Sequence, residues 1–351
     1  MNALLLGSML AAALLVVVLV PLLAVPAHAT GLVDRPGGRK DHEGEIPLTG
    51  GVAITLAFTV VWWAYAGFET AWPLLAAMWV VVVVGVIDDS GHLSPVFRLI
   101  TQVLVAGFAV IVGGVEISHL GDFPRVDRVE LELIVIPFTI LCLVGLINAI
   151  NMADGVDGLA SGMVAVMLAW LVVLAVWAGA PGGLGAPAIL LAVVVGFLVW
   201  NFPLFGGRPA FAFLGDAGSM ALGLALGWVA IKLAMAQKVG VPPMTFAWIL
   251  AVPVIETVVV MLRRMIRGHN PLHPDREHLH HHLLRLGVSR RVVTLVILSA
   301  VLFSGAFGVL GWRANIPDWF LVGAFFMAGL IHFVFMEFVL SRIGPRSRSR
   351  T

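Results

Sequence analysis

Cysteine is almost absent, and the single Cys142 lies inside an apolar run. One thiol can form no disulfide within the chain and no Cys-based metal site. Charge is nearly as scarce. Asp, Glu, Lys and Arg make up 12% of 351 residues and the net charge is +1, against about 25% charged residues in a soluble globular domain. No basic or acidic excess steers the chain towards nucleic acid, so no nucleic-acid partner is expected. Long polar stretches, linkers and internal repeats are missing too, which leaves residues 1–351 as one transmembrane domain.

What the chain has instead is apolar residues, 60% of the total. A spanning helix needs ~20 mostly apolar residues. Eleven runs approach that length: 3–26, 49–67, 71–87, 98–114, 131–147, 159–179, 186–203, 217–236, 245–262, 292–311 and 319–340. The expected fold is all-α, a polytopic integral membrane protein with about eleven transmembrane helices, and the lipid bilayer is its first partner. Ala27-His28-Ala29 resembles a signal-peptide cleavage site, but residues 1–10 hold no Lys or Arg, whereas a signal peptide starts basic. The first run is therefore read as a retained helix. Lys and Arg set the orientation. With the N-terminus outside, 16 of the 21 Lys and Arg fall on inner segments and 5 on outer ones. The C-terminus, with its basic tail 341–351, is then cytoplasmic.

The inner segments 31–48, 88–97, 148–158, 201–216 and 263–291 also hold the polar residues. Asp34-Arg35-Pro36 is followed by Arg39-Lys40-Asp41-His42 and Ile46-Pro47-Leu48-Thr49-Gly50-Gly51. Asp88-Asp89 ends the third run. Asn148, Asn151, Asp154 and Asp157 follow the fifth. Asn201 and then Phe213-Leu214-Gly215-Asp216 flank the seventh and eighth. His278, His280, His281 and His282 lie in the largest loop, which also has seven Arg. Carboxylates in or near hydrocarbon are costly, and adjacent ones repel each other. A divalent cation relieves both costs. Oxygen ligands without thiolates suit Mg²⁺, with Mn²⁺ as the second choice. Mg²⁺ usually takes one or two carboxylates plus substrate phosphates, so the substrate is expected to carry phosphate.

Each cluster also has a plainer explanation. Asp88-Asp89 could be a helix end meeting water, although carboxylates there oppose the macrodipole. Asp154 and Asp157, spaced i, i+3 and so on one face of a helical turn, could simply favour the positive end of the sixth helix. Asp216 could cap the eighth helix, and the histidines could sit in a solvated loop. Five such accidents on one membrane face would have to coincide. Glu256, after Pro253 in the ninth run, is explained equally well by a hydrogen bond between helices. His332 and Glu337 read as packing residues. The roles of Glu256, Glu337 and His282 stay open.

The ordered motifs resemble those of the polyprenyl-phosphate N-acetylhexosamine-1-phosphate transferases, the glycosyltransferase family 4 enzymes of WecA and MraY type. The carrying residues are Asp34-Arg35-Pro36 with Arg39-Lys40-x-His42, Ile46-Pro47-x-x-Gly50-Gly51, Gly85-x-x-Asp88-Asp89, Asn148-Ala-x-Asn151-Met-x-Asp154-Gly-x-Asp157-Gly-Leu, Phe213-Leu-Gly215-Asp216-x-Gly218-Ser219 and His278-x-His280-His281. The resemblance spreads in order over residues 34 to 287 and is nearer to the WecA branch. It implies a bacterial inner-membrane transferase whose active site faces the cytoplasm. Such an enzyme moves N-acetylhexosamine-1-phosphate, here GlcNAc-1-phosphate, from a UDP-sugar to undecaprenyl or decaprenyl phosphate and releases UMP. On this resemblance Asp88, Asp89 and Asp216 are catalytic, and Asp216 with Asp89 holds Mg²⁺. Lys40, His42, Asn148, Asn151, Asp154, Asp157, Asn201, His278, His280 and His281 bind substrates. Its products begin O-antigen or other cell-envelope glycans, and a homodimer is compatible with it. There are two departures: Ser90-Gly91-His92 stands where many relatives carry a further Asp, and His282 extends the histidine motif. An MraY-type enzyme using UDP-MurNAc-pentapeptide is the alternative. An ion-coupled transporter is more distant, since transporter carboxylates usually sit at the midplane of broken helices in a repeat.

Overall fold

The computed structural model describes residues 2–35, 44–91, 93–123, 128–202, 210–236, 240–270 and 277–343. Among them the chain is α-helical apart from one pair of two-residue strands. In order come α1 (Ala3–Thr30), β1 (Val33–Asp34), β2 (Ile46–Pro47), α2 (Gly50–Ala66), α3 (Phe68–Gly91), α4 (Pro95–Ile111), α5 (Val135–Ala153), α6 (Leu159–Trp177) and α7 (Gly185–Asn201). They are followed by α8 (Gly215–Ala234), α9 (Pro243–Ile249), α10 (Ala251–Ile266), α11 (Leu279–Arg285), α12 (Arg290–Arg313) and α13 (Asp318–Ile343).

Among the described residues seven helices are each long and apolar enough to cross a membrane: α1, α3, α5 with its preceding 3₁₀ turn, α6, α8, α12 and α13. The helices α2, α4 and α7 are apolar but have 17 residues each, about 26 Å at 1.5 Å per residue. The run 245–262, expected as one span, is bent: α9 and α10 together are long and apolar enough to cross a membrane, but they meet at Leu250 at an angle of 77°. Pro253 has no N–H to offer the carbonyl of Ile249, so a helix continuing from α9 would lose one bond there and meet the proline ring, which favours a bend. Ala27-His28-Ala29 forms the last turn of α1, and Ala27 is buried there.

The core is organised around α8. Nine-tenths of its most apolar stretch is buried, against about a tenth for α13. Its sequence explains why. Gly215, Ala217, Gly218, Ala221, Gly223, Ala225 and Gly227 stud the helix, and small residues let neighbouring backbones approach in a membrane bundle where hydrophobicity does not drive association. α2, α3 and α5 all pack on it. A Cβ at Gly85 in α3 would strike the backbone of Ala217, and one at Gly51 in α2 would strike Gly218. These two crossings set the distance from Asp88-Asp89 to the start of α8. The same end of α8 is held from a second direction. Phe213 N–H donates to the Pro47 carbonyl at 3.0 Å, Gly50 N–H to the Phe213 carbonyl at 3.0 Å, and Gly51 N–H to the Leu214 carbonyl at 3.1 Å. The Ile46–Gly51 motif is thus tied by backbone bonds to the Phe213–Gly215 motif, far away in the chain.

Candidate active site

Four helix ends meet at one place: the C-terminal turn of α3, the first turn of α4, the C-terminal turns of α5 and the first turn of α8. Ser94 caps α4 by accepting the Phe97 N–H at 3.2 Å, and Pro95 occupies the first helical position, an arrangement that starts a helix sharply. Arg98 then projects from the first turn of α4. Its Nη1 donates to Asp88 Oδ2 at 2.7 Å and Asp216 Oδ2 at 3.2 Å. The other oxygen of Asp88 accepts the Leu93 N–H. A guanidinium at a helix N-terminus is unfavourable on its own; here two carboxylates hold it.

Asp216 lies in the first turn of α8 but does not cap it. Its Oδ1 accepts from Asn151 Nδ2 at 2.7 Å, and the same amide donates to Ser219 Oγ at 2.8 Å. The cap comes from Asp89, whose oxygens accept the Asp216 N–H at 3.0 Å and the Ala217 N–H at 3.3 Å. Gly215, with φ +70°, makes this approach possible, since a Cβ there would sit 2.7 Å from Asp89 Oδ2. Asn148 stands one turn before Asn151 and donates to Gln102 Oε1 at 2.6 Å, while Gln102 Nε2 faces Met220 Sδ at 3.4 Å. Both Asn148 and Asn151 belong to α5 itself rather than to the loop expected from 148.

Asp154 and Asp157 occupy the turn between α5 and α6, which is not helical, so the shared helical face expected from their spacing is not formed. Burial first, and then the charges of Asp216 and Asp89, push the Asp154 carboxyl up to about 8. Asn201, 3% exposed, fastens the far side of this turn. Its Oδ1 accepts the Gly158 N–H at 3.2 Å and the Ser161 hydroxyl at 2.6 Å, and its Nδ2 donates to the Ala212 carbonyl at 3.0 Å.

The histidines arrive on α11, a seven-residue helix with His278 at its N-cap position. A Cβ on Gly155 would fall 2.5 Å from His280 Nε2, so the His280 ring rests on the Asp154–Asp157 turn at a position that excludes any side chain. The rings of His278 and His280 stack at 5.9 Å, and those of His280 and His281 lie 4.1 Å apart. Burial, then the neighbouring His281 and His278, lowers His280 to about 3, so its ring is neutral near pH 7; among the described residues Nε2 has no hydrogen-bond partner. Beside these rings opens a cavity of about 250 Å³. Its wall is mainly apolar, from Leu159, Met163, Val252 and Ile297, and its polar end holds Glu256, His278, His280 and His332.

The structure therefore gathers Asp88, Asp89, Asn151 and Asp216 directly, and it joins His280 to the turn bearing Asp154 and Asp157. Lys40 and His42, with Arg39, lie outside the described residues. Two participants escaped the sequence reading: Arg98 is the counter-charge and Gln102 orients Asn148. Glu256, for which a hydrogen bond between helices was expected as readily as a function, meets His332 of α13 beneath α11. For Arg98 a signal existed: Ser94-Pro95 marks a helix start, which puts a basic residue where the helix dipole disfavours it.

Among the described residues, no three His, Cys, Asp or Glu side chains converge closely enough to enclose a metal ion. Mg²⁺ does not need a closed cage when phosphates supply the remaining ligands. Each carboxylate oxygen has two lone pairs, and the bonds given above to Asp216 and Asp89 use one on each. The donor set thus fits a hard divalent ion shared with a phosphate.

Comparison with known proteins follows the same lines. The sequence profile of glycosyl transferase family 4 matches residues 71–234. The undecaprenyl-phosphate alpha-N-acetylglucosaminyl 1-phosphate transferase of Yersinia pestis is 32% identical over 312 residues, 86% of this chain and 83% of that protein. The protein of the same name from Escherichia coli O157:H7 is 32% identical over 323 residues, 87% and 84%. That from Salmonella typhi is 29% identical over 312 residues.

Proposed function

The chain belongs to glycosyl transferase family 4, and from that premise we propose that it transfers GlcNAc-1-phosphate from UDP-GlcNAc to undecaprenyl phosphate and releases UMP. The observation that carries this reading is the convergence of Asp88, Asp89, Asn151 and Asp216 around Arg98 at one end of the bundle. The named relatives supply the sugar and the lipid.

In the reaction an oxygen of the lipid phosphate forms a bond to the sugar-bearing phosphorus of the pyrophosphate. The bond from that phosphorus to the bridging oxygen breaks, and UMP leaves with the electron pair. Such transfers depend on positioning and on neutralising charge. Arg98 offers a fixed guanidinium, with Asp88 orienting it through the 2.7 Å contact. Asp89 holds the α8 N-terminus, and therefore Asp216, in place. Asn151 orients the Asp216 carboxylate. A divalent ion held by Asp216 and Asp89 would neutralise the pyrophosphate oxygens when bound. Asp154, whose carboxyl burial pushes up, and Asp157 would hydrogen-bond the nucleotide or sugar. The neutral His280 and its neighbours face the phosphates. The apolar cavity beside them suits a polyprenyl chain. Lys40 with Arg39 would draw in the lipid phosphate, and His42 would bind substrate.

The test is UMP release from purified protein with undecaprenyl phosphate, Mg²⁺ and equal concentrations of different UDP-sugars. UDP-GlcNAc, or a close UDP-N-acetylhexosamine, is expected to be turned over and UDP-MurNAc-pentapeptide refused. Faster use of the pentapeptide donor assigns the chain to the peptidoglycan branch instead.

The reading also places the enzyme in a bacterial plasma membrane with eleven spans, its N-terminus outside and this helix-end cluster on the cytoplasmic face. The bias of 16 to 5 in Lys and Arg supports that orientation. A reporter fused after Thr351 is expected to be cytoplasmic, and one inserted at Gly121 external. A cytoplasmic signal at Gly121 overturns the orientation.

A further inference from the structure

Glu256 is the only charged residue of α10 before Arg263, and a carboxylate there is costly unless its oxygens are engaged. They are. Oε1 accepts the Leu279 N–H at 2.7 Å and faces His278 Nδ1 at 3.5 Å, and Oε2 meets His332 Nε2 from α13. One carboxylate thus joins three segments that the sequence keeps far apart: α10, the start of α11 and α13. Two further contacts brace the same pair of long helices. Arg263 Nε donates to Glu337 Oε1 at 2.7 Å, and Arg267 Nη2 reaches the Glu337 oxygens at 3.0 and 3.1 Å. The 77° bend at Leu250 gives α10 its direction, and that direction decides where Glu256 stands.

The next residue after Leu279 is His280, whose ring lies on Gly155 between Asp154 and Asp157. Contacts run without a gap from Glu256 through the Leu279 amide to His280 and on to the Asp154–Asp157 turn. α11 has only seven residues, too short to hold its own position. Its register against the turn must come from outside, and the Glu256 carboxylate provides it at the first turn.

We propose that Glu256 is a positioning residue: with His332 behind it, it fixes the histidine helix on the Asp154–Asp157 turn and so sets the geometry in which His280 meets the substrate phosphates. Glu256 itself touches no reacting atom. The catalytic consequence rests on the transferase reading, and the structural link does not.

The experiment uses full-length protein in nanodiscs with two readouts, amide hydrogen exchange over residues 279–285 and UMP release. Glu256→Ala is expected to speed exchange there by about tenfold or more, because the anchoring bond to the Leu279 amide is gone and the segment opens locally. At saturating UDP-GlcNAc it is expected to lower kcat by a similar factor. Glu256→Gln keeps an acceptor for the Leu279 N–H and is expected to restore exchange protection and most of the turnover. A Glu256→Ala/His280→Ala double variant is expected to be no slower than the slower single variant, since both changes act through one element. Unchanged exchange in Glu256→Ala, no rescue by Gln, or losses that multiply in the double variant each overturn the proposal. Where Glu256→Ala does not fold, His332→Ala removes only the α13 side of the bracket, and unchanged exchange in it counts equally against the proposal. Exchange needs no turnover. If every nucleotide sugar is refused, the transferase reading fails while the exchange result still decides the link.

Discussion

Asp216→Asn is expected to reduce kcat by about 10²–10³-fold, some 3–4 kcal/mol of transition-state stabilisation, with folded yield and thermal midpoint close to those of the unaltered protein. The separation between the two effects comes from the geometry. An aspartate in the first turn of a helix is ordinarily credited with capping, but the N–H groups at the start of α8 are taken by Asp89. The Asp216 side chain points instead to Arg98 and Asn151. Asparagine has nearly the same volume, so the close packing of α8 on α2 and α3 is undisturbed. What changes is one negative charge beside Arg98, where a bound cation and a pyrophosphate would meet. Asp89→Asn is the contrasting case. It weakens the bonds that hold the α8 N-terminus, so stability falls as well, by about 1 kcal/mol as for other lost caps. UMP release and thermal unfolding measured on both variants decide the matter. Near-normal turnover in Asp216→Asn removes Asp216 from the reaction. Equal destabilisation of the two variants means that the cap has been assigned to the wrong residue.

The acidic cluster was legible because each of its members sits in a local motif with its own chemical signature. Asp88-Asp89 is an adjacent pair at the end of an apolar run. Asn148, Asn151, Asp154 and Asp157 are polar residues crowded where a helix should be leaving the membrane. The fold joins these motifs through glycines that the sequence also displays, such as Gly85 and Gly51 against α8. What could not be read were relations between segments. Arg98 is one arginine among many until the Ser94-Pro95 start of α4 aims it at Asp88 and Asp216. Hydropathy runs straight through Leu250 because the residues on either side are equally apolar; the break is a backbone effect of Pro253, which hydropathy does not register. Asn201 reads as polar at a helix end, the usual mark of a binding residue, yet its described bonds all go to protein groups. Glu256 looked as suited to a helix contact as to function because its partners, Leu279 and His332, are 23 and 76 residues away. Pairings at such separations depend on tertiary packing, and no periodicity encodes them.

Excess EDTA is expected to stop transfer, by at least about 10³-fold, and Mg²⁺ to restore it. Asp88, Asp89 and Asp216 lie within a few contacts of one another, and Arg98 is the only cation described in hydrogen-bond contact with any of them. The donor brings a pyrophosphate and the acceptor another phosphate. A pair of like unit charges at 4 Å costs about 4 kcal/mol at an effective dielectric constant of 20, so several such pairs leave a site that repels its own substrates. Arg98 is already shared between two carboxylates and cannot offset them. A divalent ion, which Asp216 and Asp89 would hold, would supply the positive charge that offsets these repulsions. Mn²⁺, which also prefers oxygen ligands, is expected to substitute for Mg²⁺, while Ca²⁺, larger and less exacting in geometry, is expected to support less turnover. The assay is UMP release across a titration of each ion added back after chelation. Full activity in EDTA refutes the metal requirement. The titration also tests the ligand assignment, because Asp216→Asn should need several-fold more Mg²⁺ for half-maximal rate than the unaltered protein. A variant that loses kcat at an unchanged Mg²⁺ requirement would leave the ion in place and move its ligand elsewhere, with Asp89 the next residue to examine.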